Sequence, residues 1–153
     1  MRHIRPWIES GGHFVSQYHR PIDNWDKTQS APLRLQPGSP SIRWRVTDAA
    51  ASVRMLQPDH PLLNSPNRIT NEDFDGWVKE RGLYFASEWD PAYVPLLAMS
   101  DTDEAPLEGS LLAARIGAGS HVHCALNLFY QMDHMVVGAF RLFANLMTPS
   151  GRT

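Results

Sequence analysis

Residues 116–147, IGAGSHVHCALNLFYQMDHMVVGAFRLFANLM, restrict the fold of this chain more than any other stretch. Gly117 and Gly119 sit in a Gly-Ala-Gly-Ser run, which turns tightly at little cost because glycine takes positive φ freely. From His121 to Leu128 the chain then alternates. Val122, Cys124, Leu126 and Leu128 point one way, and His121, His123, Ala125 and Asn127 point the other. Ser110 to Ile116 is a second apolar run, so the two runs predict a hairpin across the glycine turn. From about Val136 the period becomes helical: Val136, Phe140, Phe143 and Met147 share a face, widened by Ala139, Leu142 and Leu146. With only Arg141 and Asn145 left polar, such a helix is expected to be mostly buried against a sheet. Thr148-Pro149-Ser150-Gly151 ends it.

At 153 residues the chain fits a single domain with one modest core, spanning about residues 4–147 with a tail at 148–153. Fourteen basic residues face sixteen acidic ones, giving a net charge of −2 with no basic stripe, which argues against a nucleic-acid partner. No apolar run reaches the ~20 residues that cross a bilayer, so no membrane partner is expected. The N-terminus lacks the apolar centre of a signal peptide. A single cysteine rules out an internal disulfide, and a cytoplasmic location is favoured.

Taken in order, Ile4 to Ser10 reads as the last turns of a helix, stopped by Gly11-Gly12, and His13 to Tyr18 has strand composition. A helix end leading straight into a core strand reads as a chain that starts mid-fold. Residues 19–41 carry four prolines and form a long loop or short edge elements. Ile42 to Thr47 alternates as a strand, Ser52 to Leu56 is another, and residues 58–67 are turn-rich without a helix. Thr70 is a good N-cap with Asp73 in the capping-box position; Phe74, Trp77 and Val78 then give a short helix its apolar face, closed by Gly82. Leu83 to Phe85 and Val94 to Met99 read as strands, separated by residues 88–91, and 101–108 is an acidic loop. This pattern predicts an α/β architecture around a mixed sheet, with a predominantly β fold as the alternative.

Two blocks of sequence are distinctive. One runs Pro66-Asn67-Arg68-Ile69-Thr70 and on from Asp73 to Phe85; the other is Gly138-Ala139-Phe140-Arg141-Leu142-Phe143-Ala144-Asn145-Leu146. Both resemble the C-terminal, glutamine-amidotransferase-like domain attached to large bacterial LmbE-like deacetylases of the N-acetylglucosaminyl-phosphatidylinositol de-N-acetylase family. The helix-Gly-Gly-strand unit at Ile8 to Tyr18 resembles the middle of that fold as well. The resemblance implies a flavodoxin-like sheet with flanking helices, incomplete at its N-terminus. It also implies a partner, either an upstream deacetylase-type domain or another copy of the chain covering the open sheet edge.

The same resemblance hands over no active site. A class I amidotransferase places a glycine-flanked cysteine at a sharp elbow after this strand, whereas here the chain reads Gln17-Tyr18-His19-Arg20. A His-Pro-Asp-Asp type zinc motif is also missing; Pro58-Asp59-His60-Pro61 merely shuffles similar letters.

The candidate ligand-binding residues are Tyr18, His19 and Arg20, at the C-terminal end of a probable central strand, where ligands collect in open α/β sheets. A sugar or an anion suits them; the plainer reading is a capped loop. His121 and His123 share a strand face that can offer two imidazoles to zinc, with His134 or Asp133 as a third ligand if the next loop folds back. Otherwise the pair is solvated or covered by a helix, and no cofactor is needed. Cys124 reads as a buried structural thiol. Asp101, Asp103 and Glu104 alternate like a calcium loop but lack its glycine and terminal glutamate, so they read as a solvated loop. Glu80, Arg81 and Arg141 are expected to fix packing through carboxylate pairing. Trp77, Trp89, Tyr84 and Tyr93 could stack on carbohydrate, but their spacing reads as core.

The functional expectation is a non-catalytic amidotransferase-like module that assists carbohydrate (N-acetyl sugar) processing by packing on a partner domain or binding a sugar. The alternative is a metal-dependent amide or sugar hydrolase built on His121 and His123.

Overall fold

The computed structural model describes residues 1–20 and 31–149. The part of the long loop at 21–30 and the end of the C-terminal tail, including Ser150-Gly151, lie outside the described residues. The expected α/β class with a mixed sheet is present. Helix α1 (Ile4–Glu9) leads through Gly11-Gly12 into strand β1 (His13–Gln17). Three short pieces follow: β2 (Leu35–Pro37), β3 (Val53–Met55) and β4 (Ala86–Trp89). Then come β5 (Tyr93–Pro95), β6 (Leu97–Met99), β7 (Leu111–Ile116), β8 (Gly119–Cys124), α2 (Leu128–Asp133) and α3 (Val137–Met147).

The main sheet has the order β1-β8-β7-β5. The expected hairpin is β7–β8, antiparallel with Leu111 opposite Cys124 and Ile116 opposite Gly119. On its other edge β8 pairs in parallel with β1, His13 opposite Ser120 and Gln17 opposite Cys124. Strands β2 and β4, and β3 and β6, form two antiparallel ribbons.

Alternation along these strands divides the apolar residues into two cores. Val15, Leu111, Ala113, Val122 and Cys124 belong to the larger one, under α2, α3 and the 3-10 turns Pro61–Leu63 and Asn71–Phe74. Phe14, Leu112, Ala114, Ile116 and Tyr93 belong to the smaller one, with Ile8 and Leu35. Each leucine side chain so buried contributes about 1.5–3 kcal/mol.

Several expected elements take another form. The helix expected after Thr70 is a single 3-10 turn, although the Thr70 N–H does donate to the Asp73 carboxylate at 2.8 Å. Side chains take the carbonyls and amides that a longer helix would use: Trp77 Nε1 donates to the Asp73 carbonyl, Arg81 to the Phe74 carbonyl, and Val78 N–H to Gln131 Oε1. Gly82 ends nothing; it bridges Val46 and Leu126. The segment Ile42 to Thr47 is not a strand. It holds a 3-10 turn at Ser41–Arg43 and one bridge at Val46. Leu83 to Phe85 is not a strand either, since Tyr84 has φ +59°; the strand begins at Ala86 and takes in Glu88 and Trp89, which were expected to separate strands. The residues 58–67 expected to be turns alone hold the Pro61–Leu63 turn.

Helix α3 docks through part of its expected apolar face, Ala139, Leu142 and Leu146, with Val136 and Phe143 packed at its margin, while Phe140 and Met147 turn outward. Gly138, Ala139, Leu142, Asn145 and Leu146 are buried, while Val137, Phe140 and Met147 are exposed. A Cβ at Gly138 would collide with the Asp73 carbonyl, so the backbones touch there. Asn145 Oδ1 accepts the Asn67 N–H at 2.8 Å, and its Nδ2 donates to the carbonyls of Leu62 and Asn67 at 2.9 and 2.7 Å. Arg141 Nε meets Asp73 Oδ1 at 2.7 Å. Arg81, expected to pair with a carboxylate, instead gives its donors to the carbonyls of Ala51 and Phe74 and lies over the rings of Trp77 and Phe74. The acidic loop is anchored: Asp101 accepts the N–H groups of Thr47 and Asp48, the Thr47 hydroxyl and Arg45 Nη1, which uses both carboxylate oxygens internally.

Asn145→Leu should cost about 3 kcal/mol, since it strands several buried groups at once. Arg141→Met, at a half-exposed pair, should cost no more than about 1 kcal/mol. Urea denaturation of both variants checks the order; a reversed order would show that Asn145 is not the clamp.

Candidate functional site

Three separated segments meet at the C-terminal end of the parallel β1/β8 pair. They are Gln17, Tyr18 and Arg20 after β1, Lys79 to Tyr84, and Asn127 with Phe129 at the start of α2; together they line a cleft of about 470 Å³. This is the end of a parallel pair at which α/β proteins place ligands.

Each wall is held by the main chain. The Tyr18 N–H reaches the Cys124 carbonyl at 3.3 Å, which keeps the chain beside β8 for one residue past β1. The Leu83 N–H donates to the Ala125 carbonyl and the Asn127 N–H to the Arg81 carbonyl. Buried Gln131 of α2 receives the Val78 N–H and donates back to the Val78 carbonyl, both at 2.8 Å, as a strand neighbour would. That double bond fixes the approach of Lys79 and Glu80.

Five described non-glycine residues have left-handed φ, and three of them line this cleft: Tyr18 (+51°), Lys79 (+68°) and Tyr84 (+59°). Each such residue costs about 1–2 kcal/mol, and strain of this kind gathers at sites where it aims a side chain. Here it aims rings. Tyr18 meets Tyr84 and Phe129 edge to face, both with centroids 6.1 Å apart. Burial, with Cys124, Glu80 and Tyr84 adding, pushes the Tyr18 phenol well above its ordinary value, so it stays a protonated donor. Lys79 Nζ lies 4.9 Å from the centre of the Tyr130 ring.

The polar floor is Asn127 with Glu80, both buried. Asn127 Nδ2 donates to Glu80 Oε1 at 2.8 Å. A carboxylate accepts, so this bond sets the amide's orientation and turns Oδ1 away from Glu80. Among the described residues Oδ1 has no hydrogen-bond partner. Glu80 was expected to serve packing alone, and Asn127 was expected to be an ordinary strand residue. Lys79 and Phe129 carried no site signal either, while Tyr84 was named as an aromatic that could stack on carbohydrate and was read as core; it lines the cleft. An asparagine inside an apolar alternation was the one available hint.

Of the ligand residues expected from sequence, Tyr18 and Arg20 line the cleft. His19 lies behind it, buried, its ring 4.6 Å from that of His123. His121 and His123 do share a face, the one toward the smaller core, but they are fully buried. Ser16 Oγ bridges them, 2.8 Å from His121 Nε2 and 3.1 Å from His123 Nδ1, and the Tyr93 hydroxyl lies 2.6 Å from His121 Nδ1. His134 is elsewhere: it caps α2, exposed, with Nδ1 against the Tyr130 carbonyl. Among the described residues no three histidine, cysteine or acidic side chains are placed to hold a metal ion. Cys124 is fully buried, and burial pushes its thiol up to about 12.

No family model matches the sequence, and no curated protein or solved structure matches it. Among the described residues no helix is long and apolar enough to cross a membrane.

Burial lowers His121 from 6.5 to about 3, with His19 and His13 adding, and lowers His123 well below its ordinary value. Both are neutral in the fold, so their stabilising contribution is complete above pH 6.5 and declines as the pH falls toward their folded values. Unfolding free energy should therefore drop between pH 6.5 and about 5, with a limiting slope of about 1.4 kcal/mol per pH unit for each histidine. His123→Asn should flatten this limb. A flat profile in the parent protein would mean that the pair is charged when folded.

Proposed function

We propose that this chain is a non-catalytic, amidotransferase-like accessory domain of flavodoxin-like type, which binds a sugar for a carbohydrate-processing partner. The observation that carries the reading is Tyr18. It occupies the turn after the Gly-Gly strand, in a left-handed conformation, and lines the cleft with an aromatic ring at the point where the resemblance would lead one to expect a nucleophile. The ring faces Tyr84 and Phe129 across a cleft whose floor is an amide and a carboxylate. Aromatic faces beside fixed polar groups suit a sugar ring, which has apolar C–H faces and hydroxyl edges. A phenol held protonated donates hydrogen bonds rather than attacking an amide, and the thiol of Cys124 is held protonated in the core. The sugar's source would be an associated deacetylase-type domain, which the two motif blocks suggest by resemblance.

The test is titration with glucose, N-acetylglucosamine and their acidic derivatives, followed by amide and aromatic NMR shifts. Shifts should gather at Tyr18, Tyr84, Asn127 and Phe129, and Tyr18→Ala should weaken binding about tenfold. Shifts confined to another surface, or no binding by any sugar, would remove the proposal.

A further inference from the structure

We propose that the cleft prefers an amino sugar, held through its protonated amino group by Asn127 and Glu80; this rests on the sugar-binding reading above. The floor carries acceptors that lack donors. Asn127 is 2% exposed, and its Nδ2 is bonded to Glu80 Oε1 at 2.8 Å. That bond turns Oδ1 away, and among the described residues Oδ1 has no partner. Glu80 gives one carboxylate oxygen to the same bond, and among the described residues the other accepts no hydrogen bond. Both residues line the cleft, so a ligand meets two acceptors carried by one hydrogen-bonded pair. Leaving a buried acceptor without a donor costs about 1–3 kcal/mol, so a group that donates to both is favoured. A hydroxyl donates one hydrogen and brings lone pairs of its own to a floor of acceptors. A protonated amine brings three donors and no acceptor, and its bond to a carboxylate is charge-assisted. The walls agree with this choice, because the rings of Tyr18, Tyr84 and Phe129 attract a cation as well as a sugar ring. The Glu80 charge already reaches this wall, adding to burial and to Cys124 in keeping the Tyr18 phenol protonated. Of the two cations in the lining, Lys79 holds its ammonium over Tyr130, a ring outside the lining, and Arg20 has a partner of its own.

Calorimetric titration of the full chain with glucose, N-acetylglucosamine and glucosamine tests this. Glucosamine should bind about tenfold more tightly than glucose. N-acetylglucosamine, which keeps one N–H donor and no charge, should fall near glucose. In NMR spectra of the parent protein, the Asn127 side-chain amide should shift further with glucosamine than with glucose. Glu80→Gln replaces the free acceptor with a donor, so the ratio of glucosamine to glucose affinity should fall toward one; the variant's circular dichroism and melting are recorded first. Should that variant not fold, the Asn127 shifts in the parent protein decide, and bound glucosamine that leaves this amide unmoved overturns the proposal. Equal affinity for glucose and glucosamine would overturn the amino-sugar proposal and leave the sugar-binding reading intact. An amine preference that survives in folded Glu80→Gln would overturn the assignment to this floor. Binding by none of the three would overturn both readings together.

Discussion

Strand β8 is buried along its whole length and on both faces, and that burial sets the terms for everything around it. A strand in this position must satisfy its polar side chains as well as its ladder, because an unpaired buried polar group costs about 1–3 kcal/mol. On the larger-core side Val122 and Cys124 need only apolar neighbours. On the other side His121 and His123 need hydrogen bonds, and Ser16 supplies one to each. With the Tyr93 phenol pushed up by burial and the Leu33 N–H bonded to its oxygen, the hydroxyl donates to His121 Nδ1. His121 Nε2–H then donates to Ser16, and the Ser16 hydroxyl to His123 Nδ1. The parallel pairing of β1 with β8 sets Ser16 opposite His123 and so places its hydroxyl between the two imidazoles. The same parallel pair leaves the crevice at its C-terminal end.

A second constraint fills that crevice. The contacts of Asn145, Arg141 and Gly138 with Asn67 and Asp73 fix where the chain leaves the 3-10 turn at Asn71–Phe74. Buried Arg81 then gathers the carbonyls of Phe74 and Ala51, and Gln131 receives the peptide of Val78. Between these two anchors lie Lys79 and Glu80, which are turned into the cleft by a left-handed residue rather than by a helix or strand. The cleft is therefore positioned by side chains that cap main-chain groups, and each of those caps is itself buried.

This explains which parts of the molecule could be read from its sequence. The β7–β8 hairpin, the α1-Gly-Gly-β1 unit and α3 rest on local periodicity and glycine turns, and they were legible. The helix expected after Thr70 was not, because the decision lies with Trp77, Arg81 and Gln131, whose donors and acceptors replace the helical ladder from a distance. The docked face of α3 was legible through Ala139, Leu142 and Leu146, but its centre was misplaced: a close backbone contact at Gly138 and four hydrogen bonds at Asn145 turn Phe140 and Met147 outward. Residues from the two distinctive blocks, Asn67 and Asp73 in one and Gly138, Arg141 and Asn145 in the other, meet each other across the sequence. In the cleft, Tyr18 and Arg20 were legible from their place after a strand. Asn127, Glu80 and Lys79 were not, because the three segments meet through long-range pairings, Tyr18 with Cys124, Gly82 with Leu126 and Asn127 with Arg81, that no local pattern announces.

The chemistry at the turn after β1 follows from the same geometry. Strand β1 was expected to be central, but it lies at the edge of the main sheet, beside β8 alone among the described strands. A residue in left-handed conformation at its end is turned away from the ladder, and this suits a side chain that lines a cleft. A thiol there gains from a nearby base and a solvated thiolate. A phenol at the same place, flanked by Cys124, Glu80 and Tyr84 and largely shielded from water, is driven the other way and keeps its proton. The turn then offers the cleft an aromatic ring and one protonated hydroxyl, and the left-handed conformation of Tyr18 sets the orientation of that ring. On the proposed reading, these are the groups that would hold a sugar ring.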